Sequence, residues 1–186
     1  MTTAAYDAIV VGARCAGSPT ALLLARQGHK VLLLDRDHFP SDTISTHLVH
    51  PPGIALLQRW GLLDRLIATG CPAIERYSHD FGPFAISGRP RPIEGVDRAY
   101  GPRRTVLDKL LVDATAEAGA EVRESFSVEE VLFDDGRVTG VRGRTPGGQT
   151  VTGSGDGVVR DADRPAGESL RRVATGRQRE VTYLFS

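Results

Sequence analysis

An α/β fold opening on a strand–turn–helix–strand unit is predicted from three observations in the first 35 residues. Tyr6 to Val11 is a short apolar run of strand character, closed by the glycine-bounded turn Gly12-Ala13-Arg14-Cys15-Ala16-Gly17. Ser18 to Gly28 then has helical spacing. Val31 to Leu34 is a continuous apolar run that ends in an acid, Asp35. A continuous run of this kind suits a parallel strand covered on both faces.

The order matters for chemistry. A strand that feeds a helix through a glycine turn aims the helix's positive end, with its unsatisfied N–H groups, at one point. A pyrophosphate is the natural occupant, and an acid about 20 residues further on suits a ribose. Asp35 follows Gly12 by 23 positions. The motif departs from Gly-x-Gly-x-x-Gly at its centre, where Arg14 replaces the glycine that lets a backbone approach phosphate closely. Two roles are open to Arg14: its side chain points away from the phosphates, or its guanidinium pairs with one of them.

Composition excludes several classes. The 186 residues carry 23 cationic and 23 anionic side chains, so no nucleic-acid partner is expected. No run is long enough to span a membrane. Met1 to Ala5 is too short for a signal peptide, so a cytoplasmic location is expected. Cys15 and Cys71 form no metal-binding or redox spacing and read as reduced packing residues. His47 and His50 lack a third ligand at useful spacing, so no metal is expected. No nucleophile motif of hydrolase type is present.

The first helix places Ser18 and Pro19 in its first turn, where proline is tolerated. Ala16, Thr20, Leu23, Leu24 and Gln27 follow its spacing, and Gly28 stops it. Residues 36–50 read as a long polar connection, a kind of segment that is often functional. Pro51-Pro52-Gly53 opens a helix with Ile54 and Leu57 on one face. Leu62 to Ala68 is a second, short helix. Residues 73–99, broken by glycines and prolines, predict two or three antiparallel strands. Thr105 to Ala118 is helical, with Val106, Leu110, Leu111 and Ala114 on one face. Glu121 to Phe126 and Val128 to Phe133 are strands. Asp134-Asp135-Gly136 is a hairpin turn before Arg137 to Arg144, and a second turn leads to Gln149 to Thr152. Two regions follow: 1–152 as one domain, with 73–99 inside it, and 153–186 as a degraded or unassigned tail.

Several segments together resemble the FAD-dependent oxidoreductases. They are Gly12 to Arg26, Leu32 to Arg36, Phe39 to His47, Arg103 to Asp108, Gly119 to Arg123 and Asp135 to Val141. Within that family the likeness is to the aromatic-hydroxylase and geranylgeranyl-reductase-like branch, over residues 5–152. The resemblance implies a Rossmann-like FAD-binding domain, with residues 73–99 starting an antiparallel substrate-binding sheet. It implies FAD as cofactor, NAD(P)H as transient reductant and a small organic molecule as substrate. Gly12, Ala13 and Gly17 would wrap the pyrophosphate. Asp35 would bind the adenosine ribose, with Arg36 beside it. Arg104 would reach the flavin's phosphate or ribityl region, Val128 would offer backbone groups to the adenine, and Ser41 to His47 would lie near the ring. No catalytic side chain is named.

Members of this family are expected to be about twice as long, with a second motif toward the ribityl chain. Here Val158 to Arg164 only echoes the segment before that motif, with Arg164 in place of a glycine. The chain is therefore expected to be truncated and to need a partner chain carrying the missing half. The principal expectation is a flavin monooxygenase. The alternatives are a geranylgeranyl-reductase-like reductase of double bonds and a catalytically inactive nucleotide-binding fragment.

Overall fold

The structure is a computed structural model that describes residues 5–135, 137–147, 150–155 and 158–160. The chain divides into two units. One comprises residues 1–39 and 111–186, and the other residues 40–110.

The first unit is built on a four-stranded parallel sheet. Its strands are β2 (Ala8–Val11), β3 (Val31–Leu34), β8 (Glu121–Arg123) and β12 (Val158–Arg160), in the order β12-β2-β3-β8. Ile9 pairs with Leu32 and Val11 with Leu34. The side chains of β2 and β3 alternate between two apolar layers, as strand geometry requires. Val10, Val31 and Leu33 pack with Ala21 and Ala25 of α1 (Gly17–Arg26) and with Val112 and Ala120. Ile9, Leu32 and Leu34 pack on the other face with Tyr6, Phe126 and Val141.

Those last three residues belong to, or border, a second four-stranded sheet. It contains β1 (Ala5–Tyr6), β9 (Ser127–Asp134), β10 (Arg137–Arg144) and β11 (Thr150–Gly155), in the order β1-β11-β10-β9. The β9–β10–β11 pairings are antiparallel and β1 joins β11 in parallel. Asp135 has φ 46°, as a tight hairpin turn demands of its central residues. Gly136 lies outside the described residues.

Three details correct the sequence-based expectation. Tyr6 to Val11 is not one strand: Tyr6 pairs in the antiparallel sheet, and the chain breaks at Asp7. The Asp7 N–H bonds the Lys30 carbonyl and its carboxylate accepts the Lys30 N–H, which ties the break down locally. The strand expected over Glu121 to Phe126 stops at Arg123, and Ser125 turns the chain with φ 55°. Strand pairing also continues past residue 152, through Gly155 and again at Val158–Arg160.

The buried face of α1 is rotated from the one expected. Ser18, Ala21, Leu22 and Ala25 are buried, whereas Leu23 is 38% exposed. The cause is Gly17. A Cβ there would lie 1.7 Å from the Gly12 carbonyl oxygen, so this helix end sits against the strand on a stripe of small residues. Thr115 secures the same helix, its hydroxyl donating to the Ser18 carbonyl at 2.9 Å or the Leu111 carbonyl at 2.7 Å.

The second unit holds α2 (Pro51–Arg59), α3 (Leu63–Ala68) and four short strands. β4 (Ala73–Ile74) pairs antiparallel with β7 (Ala99–Tyr100), and β5 (Tyr77–Asp80) pairs antiparallel with β6 (Ala85–Gly88). The antiparallel character expected for 73–99 is therefore present, in two separate pairs. Ile54 and Leu57 of α2 are buried, as their spacing predicts, and Ala55 is buried beside them in the chain. α4 (Arg104–Glu117) begins in this unit and ends in the first. Its Leu107, Leu110, Leu111 and Ala114 are buried.

Candidate functional site

The site lies at the carboxyl end of β2, where sheet order and chain order diverge. The chain leaves β2 through α1 toward β3 on one side, and β12 flanks β2 on the other. Ligands of open α/β sheets bind at such a switch point. Gly12 ends the strand with φ 102°, a conformation that glycine adopts without strain. Five positions on, Gly17 opens α1 in close contact with it. Among the described residues no side chain caps α1, and its first turn carries no acid, so its positive end is not neutralised from within.

Asp35 is drawn directly to this turn. It is 7% exposed, and its Oδ2 accepts the Ala13 N–H at 2.6 Å. Its Oδ1 accepts the N–H of Asp37 at 2.8 Å. A carboxylate has about four acceptor sites, so two remain for hydroxyl donors. The Ala13 N–H is thus engaged by Asp35, which ties the turn to the end of β3.

Arg14 occupies the centre of the turn with its side chain buried. Its Nη2 donates to Asp37 Oδ2 at 2.7 Å, and its guanidinium lies 5.4 Å from the centre of the Phe39 ring. Of the two roles open to it, this geometry matches the one in which the side chain is directed into the protein. Arg36, by contrast, is exposed, and its Nε is 3.8 Å from Asp37 Oδ1. Val128 lies on β9, packed against the layer that contains Ile9 and Leu34. Sequence reasoning did not single out Asp37 or Phe39. The available signal was a lone arginine within a glycine motif and an acid two residues after the ribose-binding candidate.

Gly12, Ala13, Arg14, Gly17, Asp35, Arg36 and Val128 all belong to the first unit. Arg104 belongs to the second, at the first position of α4, where its Nε bonds Asp108 Oδ1 at 3.0 Å. Also in that unit, His47 has φ 52°, and its Nδ1 is buried with no hydrogen-bond partner among the described residues. Its N–H donates to Ser45 Oγ at 3.2 Å. His50 Nδ1 lies 3.0 Å from the Tyr77 hydroxyl. Cys15 is exposed, which corrects its reading as a packing residue. Among the described residues no group of side chains could hold a metal, and no helix is long and apolar enough to cross a membrane.

The residues present fit a dinucleotide. Gly17 lets the amino end of α1 stand directly against the Gly12 carbonyl, where any Cβ would clash, α1 offers a positive end with no side-chain cap among the described residues, and Asp35 retains acceptor capacity beside the turn. Residues 5–154 match the family model described as FAD binding domain. The chain belongs to that family. Its cofactor is FAD, and its relatives include several FAD-dependent oxidoreductases. Digeranylgeranylglycerophospholipid reductase 2 of Methanothermobacter thermautotrophicus is 34% identical over 171 residues, covering 87% of this chain and 42% of the relative. Squalene monooxygenase of Candida glabrata is 33% identical over 119 residues, covering 61% of this chain and 24% of the relative. Among solved structures, the myxobacterial chondrochloren halogenase CndH superimposes with a TM-score of 0.76 at 29% identity, covering 84% of this chain and 37% of that one. The chain thus spans from about a quarter to about two fifths of the length of these relatives.

Proposed function

We propose that this FAD-binding domain serves an NAD(P)H-dependent monooxygenase acting on a small organic substrate. The observation that supports the reading is the contact of the buried Asp35 carboxylate with the glycine turn, next to the amino end of α1. When bound, the flavin supplies electron transfer from a nicotinamide and, once reduced, reaction with oxygen or a double bond. The protein's part is to bind and orient. Asp35 accepts ribose hydroxyls, the amino end of α1 faces the pyrophosphate, and Gly17 lets that helix end stand against the end of β2. Arg104 is assigned to the flavin side of the cofactor, and residues 73–99 to the first strands of a substrate sheet.

A second reading, reduction of an isoprenoid double bond, is supported by the 34% identity to the archaeal reductase over most of this chain. One experiment separates these readings from simple nucleotide binding. The purified 186-residue chain is loaded with excess FAD, and bound flavin, NADH and NADPH oxidation and oxygen uptake are measured. Oxygen uptake that is stimulated by an organic substrate, matched to nicotinamide oxidation and not recovered as hydrogen peroxide supports the monooxygenase. Anaerobic nicotinamide oxidation in the presence of a polyprenyl alkene supports the reductase. Bound flavin that neither nicotinamide reduces would leave a binding module, and a chain that takes up no FAD would reject the site.

A further inference from the structure

We infer that Arg14 is a positioning residue that holds the carboxylate of Asp35 in the orientation needed to bind the adenosine ribose of the cofactor. The inference rests on the FAD reading above. It follows from a closed ring of contacts. The two N–H groups that fix the Asp35 carboxylate come from Ala13, at 2.6 Å, and Asp37, at 2.8 Å. Arg14, bonded covalently to Ala13, closes the ring by donating to the Asp37 side chain at 2.7 Å. Turn, acid and following loop are thereby locked as one piece. A glycine at position 14 could not close this ring.

The surroundings brace both ends. Phe39, under the guanidinium, is 2% exposed and part of the apolar layer against α1. Its N–H donates to Glu124 at 3.1 Å, and the Asp37 carbonyl accepts the Ser125 N–H at 3.1 Å. The Arg14 side chain is only 10% exposed, so its charge needs a partner, and Asp37 is one. The ring thus explains why an arginine is accommodated in the middle of a glycine motif. The side chain leaves the turn on the side of Asp37, and what it contributes there is the aim of Asp35.

The test is a set of affinities measured on the full chain by flavin fluorescence. The ligands are FAD and a FAD analogue lacking the 2′-hydroxyl of the adenosine ribose. Arg14→Gln is expected to weaken FAD about tenfold, the equivalent of one hydrogen bond to a charged group. The analogue, which cannot use the positioned carboxylate fully, should lose markedly less. Asp37→Asn should reproduce this pattern on a residue whose side chain is 29% exposed, and so serves if Arg14→Gln fails to fold. Arg14→Gln added to Asp35→Asn should cost nothing further. In the flavin-free protein, exchange of the Asp37 amide hydrogen should speed up in Arg14→Gln. Equal losses for FAD and analogue, with a flattened salt dependence, would mean that Arg14 pairs with phosphate and would overturn the inference. So would unchanged affinity in both Arg14→Gln and Asp37→Asn. If Asp35→Asn itself leaves FAD affinity intact, the ribose placement fails, and the positioning role fails with it.

Discussion

Replacing Gly17 by alanine tests the geometry on which the cofactor site depends. The new Cβ would stand 1.7 Å from the Gly12 carbonyl oxygen, 2.9 Å from its carbon and 3.3 Å from Val10 Cγ1. The first distance is more than an ångström too short, and both nearest atoms are backbone, which cannot rotate out of the way. Alanine would favour the helix by up to about 1 kcal/mol over glycine. Overpacking costs roughly 1–3 kcal/mol, and here the upper end applies because α1 must move as a body. A net loss of about 2 kcal/mol is expected. Flavin affinity should fall as well, by roughly fivefold to thirtyfold if 1–2 kcal/mol of phosphate binding at the helix end is lost. Gly28→Ala is the control. It has φ 88° and open space around it, so it should cost roughly 1–2 kcal/mol through backbone strain and leave flavin affinity alone. Urea unfolding and flavin titration of both variants provide the comparison. A Gly17→Ala protein with the parent's unfolding midpoint and FAD affinity would refute the close approach of helix and strand.

Other outcomes follow from single contacts. Thr115→Val keeps the shape of a buried residue but removes its hydroxyl bond to the Ser18 or Leu111 carbonyl, so stability should drop by about 1 kcal/mol in thermal unfolding. Burial pushes the Glu121 carboxyl up, but the Tyr6 hydroxyl, bonded at 2.6 Å, and Arg123 outweigh it and hold the carboxyl below its ordinary 4.5. A lowered folded value gives stability above the unfolded value that is lost as pH falls through the folded one. Glu121→Gln should therefore flatten the stability profile below about pH 4.5. Burial and Glu121 raise the Tyr6 hydroxyl above 10.0, so its contribution is present below that value and lost above it. Tyr6→Phe should flatten the alkaline limb. The β5–β6 hairpin stacks Phe81 and Phe84 with centroids 5.1 Å apart, both more than half exposed beside Ile86. Replacing both phenylalanines by serine should reduce self-association in sedimentation velocity without changing FAD affinity.

The sequence was most legible where periodicity and chemistry coincide. Val31 to Leu34, the glycine-bounded turn and Asp35 carry signals of burial, backbone freedom and charge that agree with one another, and the βαβ unit follows from them. The face of α1 was harder to read, because apolar spacing points to Leu23 and Leu24 whereas the close contact at Gly17 selects Ala21 and Ala25. Packing distance outranked hydrophobicity there. The break at Asp7 was hidden for a related reason: Tyr6 and Ile9 are both apolar and both buried, but in different sheets. The partnership of Arg14 with Asp37 joins residues 23 positions apart. It was invisible to local pattern, because neither residue has a periodic neighbour that betrays the contact.

The strand at Val158–Arg160 gives the site its setting. Val158 to Arg160 pair in parallel with Ile9 to Val11, so β2 has a neighbour on each side among the described residues. Without that pairing the glycine turn would end an edge strand, open along one side. With it, the turn stands between strands reached by opposite directions of the chain, the arrangement that produces a crevice at the carboxyl ends. The three-residue segment Val158–Arg160 thus completes the frame, because a parallel partner strand contributes first through its backbone hydrogen bonds. The stability of the parallel sheet and the affinity for FAD are therefore expected to be coupled through β12, and prolines at both Val158 and Val159, whose N–H groups face opposite sides of the strand so that one faces β2, should lower both together.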